Sequence, residues 1–287
     1  MIAYGSLLSG YGILAERRGG ASRLVARNAF PVSLANARRG LAKPSSHGHY
    51  LAMDLEPITH GEPIVAHTAN HGATDRIGVL GLEFDRKWAP LIARREEYDP
   101  AKLVELIEIA DRAGKPLGEF LYAIAERTRF NLLEYRKALR ELLGYTSHGY
   151  IFHPIPFADG RIGIAAIGSG YEGSGDPAIR SKRNEYGMDR LLPLPSALDV
   201  SSFELDRAGQ VGYFVECILG GSHGLGVADL AAELESESEL GIEVAQRVSA
   251  ALPRERALFL EATSLDEISY RRAFDAPVPE RLRHLFG

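Results

Sequence analysis

The chain has 287 residues, 45% hydrophobic and 25% charged, with a formal net charge of −5. That length buries a sizeable core, and the acidic balance excludes the basic footprint of a nucleic-acid or anionic-membrane binder, which leaves a small-molecule partner as the expectation. One cysteine, Cys217, excludes a disulfide framework and reads as a buried thiol in a reducing compartment; with no basic leader and no run near the about 20 apolar residues that span a bilayer, a cytoplasmic protein is expected.

In chain order, the first feature is Tyr4-Gly5-Ser6-Leu7, where a short apolar strand runs into a turn loosened by Gly10 and Gly12 just beyond. Free backbone N–H groups in such a turn suit a carboxylate or a developing oxyanion. Strand-like runs follow at Leu24 to Leu34, Tyr50 to Leu55 and Ile77 to Phe84. Short strands ahead of any long helix indicate antiparallel or mixed β structure. The character changes at Asp99-Pro100, an N-cap and first helical residue, with Leu103, Leu106, Ile107 and Ala110 at helical spacing up to a stop at Gly114. A second, longer helix is predicted from Pro116 to Leu143. These helices read as a pair packed on the β structure, with a substrate lid as the other reading.

Tyr150 to Pro156 and Arg161 to Ile167 form a predicted hairpin around Asp159-Gly160. Residues 168 to 210, rich in Gly, Pro, Ser and charge, carry no assignable pattern. The apolar run Val211 to Leu219 precedes a glycine cluster and helices to the end, one opened by a capping box at Ser264-Leu265-Asp266-Glu267 and the last by Pro279.

Several patterns compete for the chemistry. Gly168 to Gly173 matches G-x-G-x-x-G, yet Ser174-Gly175-Asp176-Pro177 breaks the helix that should receive a pyrophosphate, so a loop is the better reading. Gly220-Gly221-Ser222-His223-Gly224 matches the nucleophile elbow G-x-S-x-G, between an apolar run and the helical-looking Val227 to Leu234. It makes Ser222 of a serine hydrolase the rival reading, although only Asp229, Asp266, Asp275 and His284 lie downstream as triad partners, and a glycine-rich join explains the same residues. The histidine pairs His47 and His49, His67 and His71, and His148 and His153 find no Cys or Glu to complete a metal site.

Arg94-Arg95-Glu96-Glu97-Tyr98-Asp99 taken alone reads as a solvated helix surface. Combined with Tyr4 to Leu7 it resembles the gamma-glutamylcyclotransferase-like superfamily, in which a Tyr-Gly-Ser-Leu or Tyr-Gly-Ser-Asn turn binds the substrate's glutamyl group and one glutamate is the acid/base. Arg27-Asn28-Ala29-Phe30, Gly40-Leu41-Ala42 and Asp54-Leu55-Glu56-Pro57 look like the family's second and third strands, and Val79 to Phe84 like the strand before the catalytic helix. Arg94-Arg95-Glu96 with Tyr98 is similar to the ChaC-like, glutathione-cleaving branch. Val211 to Leu234 resembles the family's helix and turn near the C-terminus.

The resemblance implies an α+β fold: one gamma-glutamylcyclotransferase-like domain over 1–287, built on a small mixed or antiparallel β-barrel. A helical lobe at 100–145, an irregular insertion at 168–210 and a helical C-terminal extension at 235–287 would be additions to it. It implies cofactor-independent cyclisation of a gamma-glutamyl group to 5-oxoproline, with no metal required. Glu96 would be the general acid/base, the amides of Gly5, Ser6 and Leu7 would pose the substrate, and Tyr4 would line the pocket. Arg95 would meet a substrate carboxylate, or pair with Glu97 or Asp99 in a structural role, and Tyr98 completes the binding set. Glu97 competes with Glu96, because neighbours on a helix point about 100° apart and only one can face a pocket. The added segments suit a larger gamma-glutamyl amide or peptide than glutathione. A non-catalytic binding module on the same fold is the other class.

Overall fold

The first apolar pair, Ile2–Ala3 (β1), is buried at the middle of a six-stranded sheet. The computed structural model describes residues 1–14, 24–44, 51–59, 61–68, 77–145, 150–168, 207–225, 239–274 and 286. The other strands are Asn28–Ala35 (β2), Ala37–Pro44 (β3), Leu51–Pro57 (β4), Val65–Thr68 (β5), Ile77–Glu83 (β6), Tyr150–Pro156 (β7) and Ile162–Gly168 (β8). The large sheet runs β5-β2-β6-β1-β8-β7, with β1 parallel to β8 and every other neighbour antiparallel. A parallel bridge from Ala66 to Phe157, with Ala158 N–H donating to Ala66 O at 2.9 Å, brings the two ends of the sheet together. The fold is thus α+β around a curled, half-barrel sheet.

β2 and β3 are one chain direction bent at Asn36. Its φ of 55° is the left-handed region that asparagine tolerates, and its side chain accepts from Thr59 N–H and donates to the carbonyls of Glu62 and Pro63. β3 therefore leaves the large sheet and pairs with β4 in a separate hairpin. β4 returns to the large sheet at Asp54, whose Oδ1 accepts from Gly168 N–H at 2.7 Å. A Cβ on Gly168 would run into the Asp54 carboxylate, so this glycine ends β8 against a buried acid. The rest of the G-x-G-x-x-G pattern lies outside the described residues.

Helices cover the curled sheet on two sides. A 3-10 turn at Ser6–Leu8 leads into Gly10–Leu14 (α1), and Ala89–Arg95 (α2) follows β6. The predicted helix from Asp99 is present as Pro100–Arg112 (α3), with Asp99 accepting from Ala101 N–H and Gly114 at φ 66° beyond its end. The predicted helix from Pro116 to Leu143 is two helices, Leu117–Arg127 (α4) and Leu132–Leu143 (α5). Arg129 and Phe130 both have positive φ, and Asn131 caps α5 by accepting from Leu133 and Glu134 N–H. The lobe is a packed layer: a Cβ on Gly118 would come within 2.9 Å of Ile162 O, and Tyr135 buries its ring and donates to Phe152 O at 2.8 Å.

The apolar run Val211 to Leu219 lies in a helix, Arg207–Leu219 (α6), followed by a 3-10 turn at Gly220–His223. Glu239–Thr263 (α7) and Glu267–Phe274 (α8) complete the described helices. The cap of α8 is Asp266, which accepts from Ser269 N–H at 2.6 Å; Ser264 instead takes a φ of 54° in the bend after α7. Apolar pattern marks neither β5, four residues long, nor the arginine-rich β3, which only the likeness at Gly40-Leu41-Ala42 anticipates. The helical-looking Val227 to Leu234 and the helix predicted to open at Pro279 lie outside the described residues. Among those described, no helix is long and apolar enough to cross a membrane.

Candidate active site

Six segments meet at the 3-10 turn, counting the turn itself as the first. Tyr4 leaves β1 buried and donates its hydroxyl to Ala166 O on β8. The turn's own ladder starts with Leu8 N–H to Gly5 O at 3.0 Å and Ser9 N–H to Ser6 O, so the N–H groups of Gly5, Ser6 and Leu7 stand ahead of it. Gly5 is required by crowding, since a Cβ there would lie 2.8 Å from the Tyr213 hydroxyl and 3.4 Å from Met53 Cβ. Ser6 and Leu7 are buried.

The second segment is the end of α2. Glu96 is its C-cap residue, with N–H donating to Ile92 O at 3.0 Å, and Glu97 follows at φ 54°. The two acids therefore sit on a turn, and the helical 100° offset expected between them does not apply. The Glu96 side chain is 12% exposed. Arg95 reaches back across the chain, donating to Gly12 O at 2.6 Å and Ser6 Oγ at 3.4 Å, with its Nε 3.9 Å from Glu96 Oε1. It ties the turn to α2.

Asp54 supplies a second acid at 3% exposure. Around it, Tyr150 donates to Met53 O at 2.7 Å, and Met53 N–H donates to the Tyr213 hydroxyl at 2.7 Å. Burial, reinforced by the charges of Asp54 and Glu96, holds the Tyr4 phenol well above the ordinary tyrosine range. The Tyr150 phenol is held up by burial first, then by Tyr4, Tyr213 and the same two acids. Two carboxylates and three phenols thus share one electrostatic environment against the glycine turn. Arg39 braces it from β3, donating to the carbonyls of Tyr4 and Gly78 at 3.3 Å each.

Tyr98 faces elsewhere. Its ring is edge-on to Tyr145 at 5.4 Å and to Phe152 at 5.1 Å, where it joins the helical lobe to β7. Asp54, Tyr150, Tyr213 and Arg39 were not among the residues expected from sequence. An aspartate inside the apolar Ala52-Met53-Asp54-Leu55 run is the one local signal that pointed at this cluster.

Ser222 donates to Leu219 O at 2.7 Å, in a turn that follows a helix instead of the strand an elbow requires. Its neighbour His223 is bonded away from it, to Tyr270 and Glu255. Among the described residues, no group of three or more His, Cys, Asp or Glu side chains is arranged to hold a metal ion. A groove of about 480 Å³ lies in the lobe, lined by Phe120, Ile124, Arg127, Thr128, Ala138, Glu141 and Leu142, and none of the clustered residues lines it.

No protein family, curated protein or solved structure matches the chain. The reading of the site therefore rests on its chemistry.

Proposed function

We propose that the protein is a gamma-glutamylcyclotransferase-like enzyme that converts a gamma-glutamyl amide or peptide into 5-oxoproline and a free amine or amino acid, without a cofactor. One observation carries the reading. Arg95 bonds the Ser6 hydroxyl and the Gly12 carbonyl, and the next residue offers a carboxylate that is only 12% exposed and whose charge acts on Tyr4. An acid and the turn whose Gly5, Ser6 and Leu7 amides stand ahead of its ladder are thereby tied together.

In the proposed reaction Glu96 removes a proton from the substrate's α-ammonium. The freed nitrogen attacks the γ-carbonyl carbon, closing a five-membered ring as the carbonyl π electrons move onto oxygen. The N–H groups of Gly5, Ser6 and Leu7 are the donors for that oxyanion. Its collapse breaks the bond to the leaving nitrogen, which takes the proton from Glu96; the regenerated carboxylate then removes the second proton from the ring nitrogen and passes it to the amine, which departs as an ammonium ion. General acid/base action contributes about 10²- to 10⁴-fold. Holding the chain folded for closure contributes up to about 7–11 kcal/mol in favourable cases. Asp54 adds negative charge suited to a substrate that enters as an ammonium. A cytoplasmic setting belongs to the same reading, supported by a lone cysteine that is buried.

The test is to incubate the purified protein with a panel of gamma-glutamyl amines and peptides and measure 5-oxoproline by mass spectrometry. Glu96→Gln is expected to lower release by about 10²-fold or more, with the unfolding midpoint unchanged. Full activity in that variant with loss in Glu97→Gln would assign the chemistry to the neighbour. No product from the wild-type protein on any panel member would overturn the reading.

A further inference from the structure

Glu255, in α7, is 0% exposed. Its Oε1 accepts from Gly10 N–H at 2.6 Å and its Oε2 from Tyr11 N–H at 3.3 Å, which are the first two amides of α1. The same Oε1 lies 2.8 Å from His223 Nε2, and His223 Nδ1 lies 2.8 Å from the Tyr270 hydroxyl. The imidazole is stacked on Phe259 with ring centroids 3.9 Å apart, so it has no freedom to turn away. A buried carboxylate is costly unless its oxygens are met by donors. Here two donors from α1 and, in the tautomer that carries its proton on Nε2, a third from His223 in the turn after α6 meet it.

α1 is the element between the two halves of the candidate site. At its start a Cβ on Gly10 would strike the backbone N of Phe259, so α1 lies directly on α7. At its middle the Gly12 carbonyl takes the Arg95 bond, and Gly12 N–H donates to Ser9 Oγ at 3.0 Å. The chain of contacts runs from Tyr270 through His223 and Glu255 to the α1 amides, and from Gly12 to Arg95, the residue before Glu96. The 3-10 turn leads directly into the helix that these contacts hold.

We propose that Glu255, fixed by His223 and Tyr270, is a positioning residue that sets α1, and with it the Gly5 to Leu7 amides, in register with the Glu96 carboxylate; this rests on the cyclisation reading above. An amide cannot replace the acid. Glu255→Gln can accept at one oxygen only, so if that oxygen keeps Gly10 and His223, the NH₂ is set against the Tyr11 N–H, donor to donor. The reverse placement loses Gly10. Shape and volume are retained, and the register of α1 is not.

The test combines steady-state kinetics with hydrogen exchange of the amides in residues 6–14. For Glu255→Gln the expected result is a fall in kcat of about tenfold to a hundredfold, since an ångström-scale misplacement costs that much. KM should move less than about threefold, on the same scale, and exchange should quicken in 6–14 but not in β7 and β8. His223→Gln, which keeps a side-chain donor toward Glu255, is expected to retain more activity than His223→Leu. Should Glu255→Gln fail to fold, Tyr270→Phe carries the test, because it removes only the hydroxyl on His223 Nδ1 and is expected to give the same pattern in weaker form. Unchanged kcat and unchanged exchange in these variants would overturn the proposal, as would a loss of kcat accompanied by equal quickening of exchange throughout the molecule. A wild-type protein that makes no 5-oxoproline refutes the cyclisation reading and this assignment to catalysis, while the exchange data then report separately whether Glu255 anchors α1.

Discussion

Tyr213 shows how tightly single residues are specified around the turn. Its hydroxyl accepts from Met53 N–H and occupies the space a side chain at position 5 would need. Gly5→Ala is therefore expected to destabilise the protein by about 1–3 kcal/mol through overpacking and to depress 5-oxoproline release. Gly5→Ala combined with Tyr213→Phe should recover part of that loss, because removing the hydroxyl vacates the space. A double-mutant cycle in urea reads the coupling directly, and strictly additive losses would show that the two residues do not meet. In sequence, Tyr4 to Leu7 and Glu96 were legible because a motif and a charged cluster stand out locally. Tyr150 and Tyr213 were not, since each is one aromatic residue in an apolar run whose partners come from strands far away in the chain. Tyr98 sits beside Glu96 in sequence but turns to Tyr145 and Phe152, because the backbone leaves α2 at Glu96 and reverses through the positive φ of Glu97.

At the level of elements, β7 carries an unusual burden. His153 is 3% exposed, its ring is edge-on to Tyr135 at 4.9 Å, and among the described residues neither ring nitrogen has a hydrogen-bond partner. Burial lowers its pKa from 6.5 to about 4. Between those values the unfolded chain binds a proton that the folded chain does not, so stability present above pH 6.5 is lost as the pH falls toward 4. The difference amounts to about 3 kcal/mol. Unfolding in urea at pH 7.5 and at pH 4.5 is expected to show a smaller drop for His153→Leu than for the wild type, and an identical drop would remove His153 as the cause. Most strands and the first lobe helix were legible from apolar runs and from Asp99-Pro100. The break between α4 and α5 was missed because the apolar stripe continues across it, although Asn131 followed by Glu134 is a cap signal in its own right. The Val211 to Leu219 run lacked a polar face to mark its period, for α6 is buried along most of its length.

Across the whole molecule, the candidate site exists only in the assembled fold. Its groups come from the turn after β1, from β3 and β4, from the end of α2, from β7 and from α6, and the anchors of α1 come from α7 and α8. The curled sheet gathers these segments because β1 lies at its middle, paired with β6 on one side and β8 on the other, so whatever follows β1 emerges at the mouth of the half-barrel. The claim that turn and acid form one catalytic site is tested most directly by a crystal structure of the protein with 5-oxoproline. The account predicts electron density for the product between the two, its ring carbonyl oxygen within hydrogen-bond distance of the Gly5, Ser6 and Leu7 amides and its ring nitrogen facing the Glu96 carboxylate. Product bound elsewhere, with the space between the turn and Glu96 filled only by water, would contradict it.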